Sequence, residues 1–515
     1  MADSNFWLDT VATDIDRQHP DGEVVVSSGV SPSGAYHVGT LREVLTAEAV
    51  CQALKAKGRT ARHIHVVDDL DVFRKVPTNL PVSFEKYLGW PLCDIPSPDD
   101  TAGSYADFFL NDLLHSAKRL NFEMEIVRSH EKYQAGFFVP AIEQALASAE
   151  TISRILTKVS GHKVDENWSP IQVVEGGYLK NRRFISINTA AKTLVYADVN
   201  GQPVEVSYRD GQVKLNWRVD WPARWWLMAV DVEPFGRDHA TIGGSYDTGS
   251  LIVKQVFKSE PPIPIPYHFI NRSGETKKMS KSAGNIVTAR ELTDILPAEL
   301  VWYFMLRLPP RSQLFFDEGQ TVVKLFDDFS ALLAKTDKSP AEQSLVEFCL
   351  SRVLQPTVSP AVPFTHLLTA YQAGLKDSAK ALEIIARSEY AQAVESNSDT
   401  LKKELKFIDI WLERWAPDEY KFSVLEKVEP ADFDDDAKQF LAVLADKIEQ
   451  APKMASGDWF HQAIYSLKDE LSIDPESIFQ ALYRALIGRV SGPRAGWFLA
   501  TLDKEWLVKR LRFQA

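Results

Sequence analysis

The chain has 515 residues, room for three or four domains of about 150 residues each. Apolar residues make up 45%, charged residues 25% and aromatics 11%, a composition that excludes disordered, collagenous and coiled-coil classes. Asp and Glu number 70 against 58 Lys and Arg, a formal charge of −12, so any polyanionic partner must be met by a local basic stripe rather than by bulk attraction.

From the amino end, Met1–Asp16 carries four aspartates where a signal peptide needs a cationic and then apolar run, and no stretch reaches 18 consecutive apolar residues. A cytoplasmic protein with no membrane partner is expected. Glu23–Ser28 predicts a buried strand that ends at Gly29 and runs into the turn-rich Ser31-Pro32-Ser33-Gly34. From Thr40 the spacing of Leu41, Val44, Leu45, Ala49 and Ala53 predicts a helix closing at Lys57-Gly58, and Ala61–Val67 predicts a second strand. Strand, loop, helix and strand make a βαβ unit, hence a parallel sheet with its ligand crevice at the carboxyl ends of the strands.

Residues 158–214 alternate in short runs, with hairpin turns at Asn200-Gly201 and Asp210-Gly211, and predict a small antiparallel insertion. Trp217–Val232 and Ile263–Ile270 read as further strands of the first domain. Beyond Asn285 the periodicity is helical. The division that results is a Rossmann-type α/β catalytic domain over 1–285 carrying the insertion, a helical linker over 286–340, and an all-α domain over 341–515. Three scattered cysteines, Cys51, Cys93 and Cys349, supply neither a disulfide framework nor a zinc ribbon, and no metal ligands are assigned.

Two motifs carry chemistry. His37-Val38-Gly39-Thr40 opens the first helix, where unpaired N–H groups and the dipole favour an anion, although a loop histidine can equally act as an ordinary cap. Lys278-Met279-Ser280-Lys281-Ser282 is a polar loop flanked by glycines, whose two ammonium groups can clamp a triphosphate as charge moves onto departing pyrophosphate.

This pair, together with Ser28–Gly34, Asp68–Pro77, Trp217–Pro222 and Gly236–His239, resembles the signatures of the class I aminoacyl-tRNA synthetases and, within them, the class I lysyl-tRNA synthetases. The resemblance spans nearly the whole chain and makes the all-α domain an anticodon-binding region; Gly492-Pro493-Arg494-Ala495-Gly496 is similar to the end of the glutamyl-type helical domain. It implies activation of L-lysine with ATP and Mg2+, then transfer to the terminal adenosine of tRNA(Lys), with no role for DNA. Carried over, His37, Gly39, Thr40, Lys278 and Lys281 are catalytic, and Pro32, Ser33 and Ser280 join them around ATP. Lysine is placed near Gly29, Ser31, Trp217, His239 and Tyr267, with Asp68 and Asp220 as ammonium partners. Thr40 stands where the broader class has His. Alternatives are a glutamyl or glutaminyl enzyme, a small nucleotidylyltransferase, or a tRNA-binding paralogue that no longer charges. Phosphate contacts are expected from Arg484, Arg489, Arg494, Lys504, Lys509, Arg510 and Arg512.

Overall fold

The computed structural model describes residues 6–78, 80–99, 101–161, 168–274, 286–360, 362–452 and 455–515. The chain divides into two units, the first of residues 1–294 with 304–315, the second of 295–303 with 316–515.

In the first unit, helix α1 (Trp7–Gln18) precedes strand β1 (Val24–Val30), helix α2 (Val38–Ala56), strand β2 (Ala61–Val67) and strand β3 (Glu125–Arg128). The insertion supplies β4 (Ile171–Glu175), β5 (Tyr178–Asn181), β6 (Arg183–Asn188), β7 (Thr193–Ala197), β8 (Pro203–Ser207) and β9 (Val213–Leu215), and the chain returns as β10 (Val232–Gly236) and β11 (Ile263–Tyr267). The main sheet runs β11-β10-β1-β2-β3 with all pairs parallel, Val24 facing Ala61 and Val30 facing Val67. The strand order reverses at β1, whose two neighbours are β2 and β10. The crevice at their carboxyl ends is the position where open α/β sheets bind ligands.

The insertion forms two antiparallel three-stranded sheets, β5-β4-β9 and β6-β7-β8. Ile171, Leu194, Tyr196 and Val213 share one core with Val25, Ile64 and Val66 of the main sheet, so its hairpins need no metal to hold them. One element departs from expectation. Trp217–Leu227 is a helix, not a strand, despite the internal Pro222. Proline there removes one hydrogen bond and costs about 3 kcal/mol, but Val219, Asp220, Ala223 and Arg224 recur at helical spacing on a buried face with Trp225. Burial of that face outweighs the break.

Several helices of the second unit are capped at their amino ends by side chains. Ser339 and Glu342 form a reciprocal capping box, and Asp377, Asp434, Ser456, Asp474 and Asp503 each accept from a first-turn N–H. Helices Gly457–Leu471 and Ala495–Thr501 pack so closely that a Cβ on Gly496 would lie 2.3 Å from the Gly457 carbonyl oxygen.

Candidate active site

The site begins with the loop between β1 and α2. His37 is the N-cap of α2, and its Nδ1 accepts from the backbone N–H of Gly39 at 3.0 Å and of Thr40 at 3.2 Å. Because Nδ1 accepts, the neutral ring carries its proton on Nε2 and is a donor there. Gly39 is required for this fold-back, since a Cβ would stand 2.9 Å from His37 Cε1. The same loop is tied to the chain that follows the lysine-rich motif. Val38 N–H donates to Val287 O at 3.0 Å, Ala289 N–H donates to Tyr36 O at 2.7 Å, and His37 and Thr288 form an antiparallel bridge. Lys278, Ser280 and Lys281 lie outside the described residues. Ser33 accepts a hydrogen bond from Tyr105 through its carbonyl at 3.1 Å, and Pro32 is buried.

Behind the loop, a buried chain fixes the end of β1. Glu48 accepts from His63 Nδ1 at 2.7 Å, and Ser28 Oγ joins His63 Nε2 at 2.9 Å to His65 Nδ1 at 2.8 Å. Burial, reinforced by His63, pushes the His65 pKa down to about 3, so that ring stays neutral.

At the carboxyl ends of β1 and β10 lies a cavity of about 220 Å³. Gly29, Ser31, Asp68, Trp217, Asp220 and His239, all singled out from the sequence, line it together. The His239 ring meets Trp217 and Trp221 edge to face, with centroids 6.3 and 5.5 Å away. Ser31 Oγ donates to Asp71 Oδ2 at 3.0 Å, and Arg74 grips the same carboxylate at 2.8 Å through both terminal nitrogens.

Asp68 and Asp220 come with cations of their own. Buried Arg224 pairs with both, at 2.9 Å to Asp68, and buried Lys214 stands 3.6 Å from Asp68 and 3.9 Å from Asp220. Burial alone would raise the Asp68 carboxyl, but Arg224 and Lys214 overcome it and hold the pKa below its ordinary value. Two aspartates against an arginine and a lysine leave no net charge for a cationic guest.

The acids that sequence reasoning missed are Glu43 and Glu233. Glu43 projects from α2 into the cavity, accepting from Gly29 N–H at 3.1 Å and from the Tyr267 hydroxyl at 2.7 Å, which is how Tyr267 joins the site. Burial pushes its pKa up to about 8, more than these two hydrogen bonds pull it down. Glu233 on β10 accepts from the indoles of Trp221, at 3.1 Å, and Trp225, and burial again raises its carboxyl. The donors to both carboxylates are neutral groups. The only available signal was a charge in the middle of α2, a helix whose neighbouring positions are buried on nearly all sides.

A model of the class I (K) tRNA synthetases matches residues 5–351, and one of an anticodon binding domain matches residues 363–515. The chain belongs to the class I (K) tRNA synthetases. This synthetase is 36% identical to lysine--tRNA ligase 1 of Methanosarcina acetivorans across 98% of both chains. It is 35% identical to the lysine--tRNA ligase of Archaeoglobus fulgidus, over 98% of this chain and 99% of that one. With the lysine--tRNA ligase of Pyrococcus horikoshii it shares 32% identity over 99% of each.

Several cations expected on a tRNA-facing stripe of the synthetase are committed inside its second unit. Arg510 is 1% exposed and donates to the carbonyls of Leu425 and Glu426, Arg512 pairs with Asp446 and Glu449, and Lys504 donates to Ala451 O. Helix packing buries Arg510, whereas Arg512 and Lys504 stay partly exposed and are held by surface partners. No helix among the described residues is long and apolar enough to cross a membrane.

Proposed function

We propose that the protein is a lysine-tRNA ligase: it activates L-lysine with ATP to lysyl-adenylate and pyrophosphate, then passes the lysyl group to the terminal adenosine of tRNA(Lys). The observation that carries the choice of amino acid is the pair of carboxylates, Glu43 and Glu233, that share one cavity with only neutral donors. Lysine brings two ammonium groups, and a carboxylate held only by neutral donors gains from one, Glu43 more than Glu233, on which Arg224 already acts through space. Trp217, Trp221 and His239 add aromatic faces, and a cation over such a face gains about 0.5 to 2 kcal/mol. A glutamate side chain would be set against these two acids, which weighs against a glutamyl enzyme; glutamine, a neutral amide, is separated from lysine by the exchange test below.

The lysine carboxylate attacks the α-phosphorus of ATP, forming a new phosphorus–oxygen bond as the bond to pyrophosphate breaks, so the protein needs to position and to stabilise charge rather than supply a nucleophile. Nε2–H of His37 is suited to a phosphate oxygen, and α2 presents its dipole to the same place. Lys278 and Lys281 are suited by charge to the departing pyrophosphate, and Thr288, further along the chain, is bridged to His37. Mg2+ would come with the phosphates of ATP, since it keeps most of its waters and needs at most one or two protein carboxylates.

The test is amino-acid-dependent ATP–pyrophosphate exchange over the twenty amino acids, with and without tRNA. Stimulation by lysine alone is expected. Stimulation by glutamate or glutamine would reject the assignment, and no exchange under either condition would favour a non-charging paralogue.

A further inference from the structure

The buried chain behind the loop between β1 and α2 stops one partner short. Glu48 lies at its far end, where burial would raise the carboxyl but contacts with His63, Gln52 and the Glu123 N–H hold it below its ordinary value. An ionised carboxylate only accepts, so His63 Nδ1 donates to it. Ser28 Oγ then carries the chain from His63 Nε2 to His65 Nδ1. At the near end His65 Nε2 is buried and has no hydrogen-bond partner.

Beside it is a second buried group in the same condition. Tyr36 is 1% exposed, its hydroxyl has no partner, and its ring centroid stands 6.2 Å from that of His65 with the planes tilted by 57°. Burial, and after it Asp69, holds the Tyr36 pKa above its ordinary value, so the group stays a hydroxyl. With His63 neutral, every bond runs toward Glu48 and His65 ends in a bare acceptor; with His63 charged, the sense beyond it reverses and Nε2 carries a hydrogen. A hydroxyl both donates and accepts, so Tyr36 completes the chain in either case. Leaving two such atoms open side by side is costly, where apolar side chains of the same volume would not be. Their rings are close enough for reorientation of one of them to join the two atoms without moving a strand.

Tyr36 also belongs to the loop that presents the motif histidine. It precedes His37, and its carbonyl accepts from Ala289 N–H at 2.7 Å, on the chain that follows the lysine-rich motif. Turning Tyr36 toward His65 therefore acts on the segment that holds His37. We propose that Tyr36 and His65 are positioning residues for adenylate formation: the hydrogen bond between them is made as the loop tightens on the reacting ATP phosphates, and it fixes His37 there through the chain anchored at Glu48. The inference rests on the reading that the chain activates lysine with ATP. A bond made only at that stage lowers the barrier without tightening the binding of lysine.

The experiment measures ATP–pyrophosphate exchange, with tRNA present, and thermal melting for full-length wild type, Tyr36→Phe, His65→Asn and the double variant. Asn keeps a partner for Ser28 and deletes the group at Nε2. Each single variant is expected to lose about three- to tenfold in kcat with KM for lysine unchanged, and the double variant no more than the larger single loss. Free of substrates, Tyr36→Phe should melt at or above the wild-type temperature, because the hydroxyl it lacks is buried without a partner in that state. An unchanged kcat in Tyr36→Phe, losses that multiply in the double variant, or a lower melting temperature for Tyr36→Phe would each overturn the proposal. If His65→Asn does not melt cooperatively, Tyr36→Phe decides through kcat, KM and melting. Absence of exchange by the wild type would instead overturn the ligase reading, and this inference with it.

Discussion

Tyr267 donates its hydroxyl to Glu43 at 2.7 Å, joining the last strand of the sheet to the first long helix across 224 positions of sequence. That bond aims a carboxyl group into the cavity, and burial keeps it protonated below about pH 8 until an ammonium displaces the proton. Glu43→Gln keeps an acceptor oxygen for one of the two contacts, turns its NH2 toward the other, and removes the charge. A hydrogen bond to a charged group contributes about 1.5 to 3 kcal/mol, which corresponds to roughly 10- to 100-fold in KM for lysine. Tyr267→Phe, which only frees the carboxylate, should cost about 3- to 10-fold. Steady-state exchange kinetics check both, and an unchanged KM in Glu43→Gln would remove Glu43 from the pocket.

The raised pKa of Glu43 gives lysine binding a defined pH dependence. Below about pH 8 the empty site holds a proton that an arriving ammonium must displace, so affinity should rise with pH, by at most about tenfold per unit, and level off above pH 8. Folding stability moves the opposite way. Between the ordinary carboxylate value near 4.5 and about 8 the folded protein binds the extra proton, so stability contributed by protonated Glu43 is present below that window and is lost as pH rises through it. Calorimetry in buffers of different ionisation enthalpy should detect proton release on lysine binding in the wild type and less in Glu43→Gln, and the variant should melt higher than wild type at pH 8 to 9. Equal proton release from the two proteins would contradict the assignment.

The βαβ unit, the capped loop and the alternating insertion were legible because each is written in local periodicity and turn chemistry. Gly58, for example, takes the left-handed φ of +82° foreseen at the end of α2. The electrostatics of the cavity were not legible. Asp68 and Asp220 suggested ammonium partners, yet their charges are balanced by Arg224 and Lys214; the Asp220–Arg224 pair is local to one helix turn, whereas the contacts of both cations with Asp68 are made by folding across roughly 150 positions. Glu43 was hidden for a related reason: α2 is enclosed on most sides, with Arg42, Thr46 and Glu48 also buried, so no polar face separated a pocket acid from a solvated one. Trp217–Leu227 misled because Pro222 and four tryptophans resemble strand and edge composition, whereas burial of one face decides for helix.

His37 caps α2 through Nδ1, and the proposed mechanism gives it a second, separable duty as a donor to phosphate through Nε2. His37→Asn preserves the first, since Asn is among the preferred N-caps, and deletes the second. Its melting temperature should stay within a few degrees of wild type while kcat for exchange falls about 100-fold or more, in line with loss of a transition-state hydrogen-bond donor. His37→Ala should lose the cap as well, about 1 kcal/mol of stability. If Asn restored full activity, capping alone would explain the histidine.

Arg224 is the keystone of the charge balance behind the pocket. Arg224→Met leaves Asp68 and Asp220 buried beside Lys214 alone, which stands 3.6 and 3.9 Å away. Removing one partner from a buried ion network costs about 3 to 5 kcal/mol. The variant should therefore unfold at clearly lower denaturant, with the loss greatest at neutral pH and shrinking as acid protonates the stranded aspartate. Asp220→Asn combined with Arg224→Met removes one negative and one positive charge together, and should recover part of that stability without recovering lysine affinity if the ion network also shapes the cavity. Additive losses in the double variant, measured by chemical denaturation, would show that the two residues do not act as a pair.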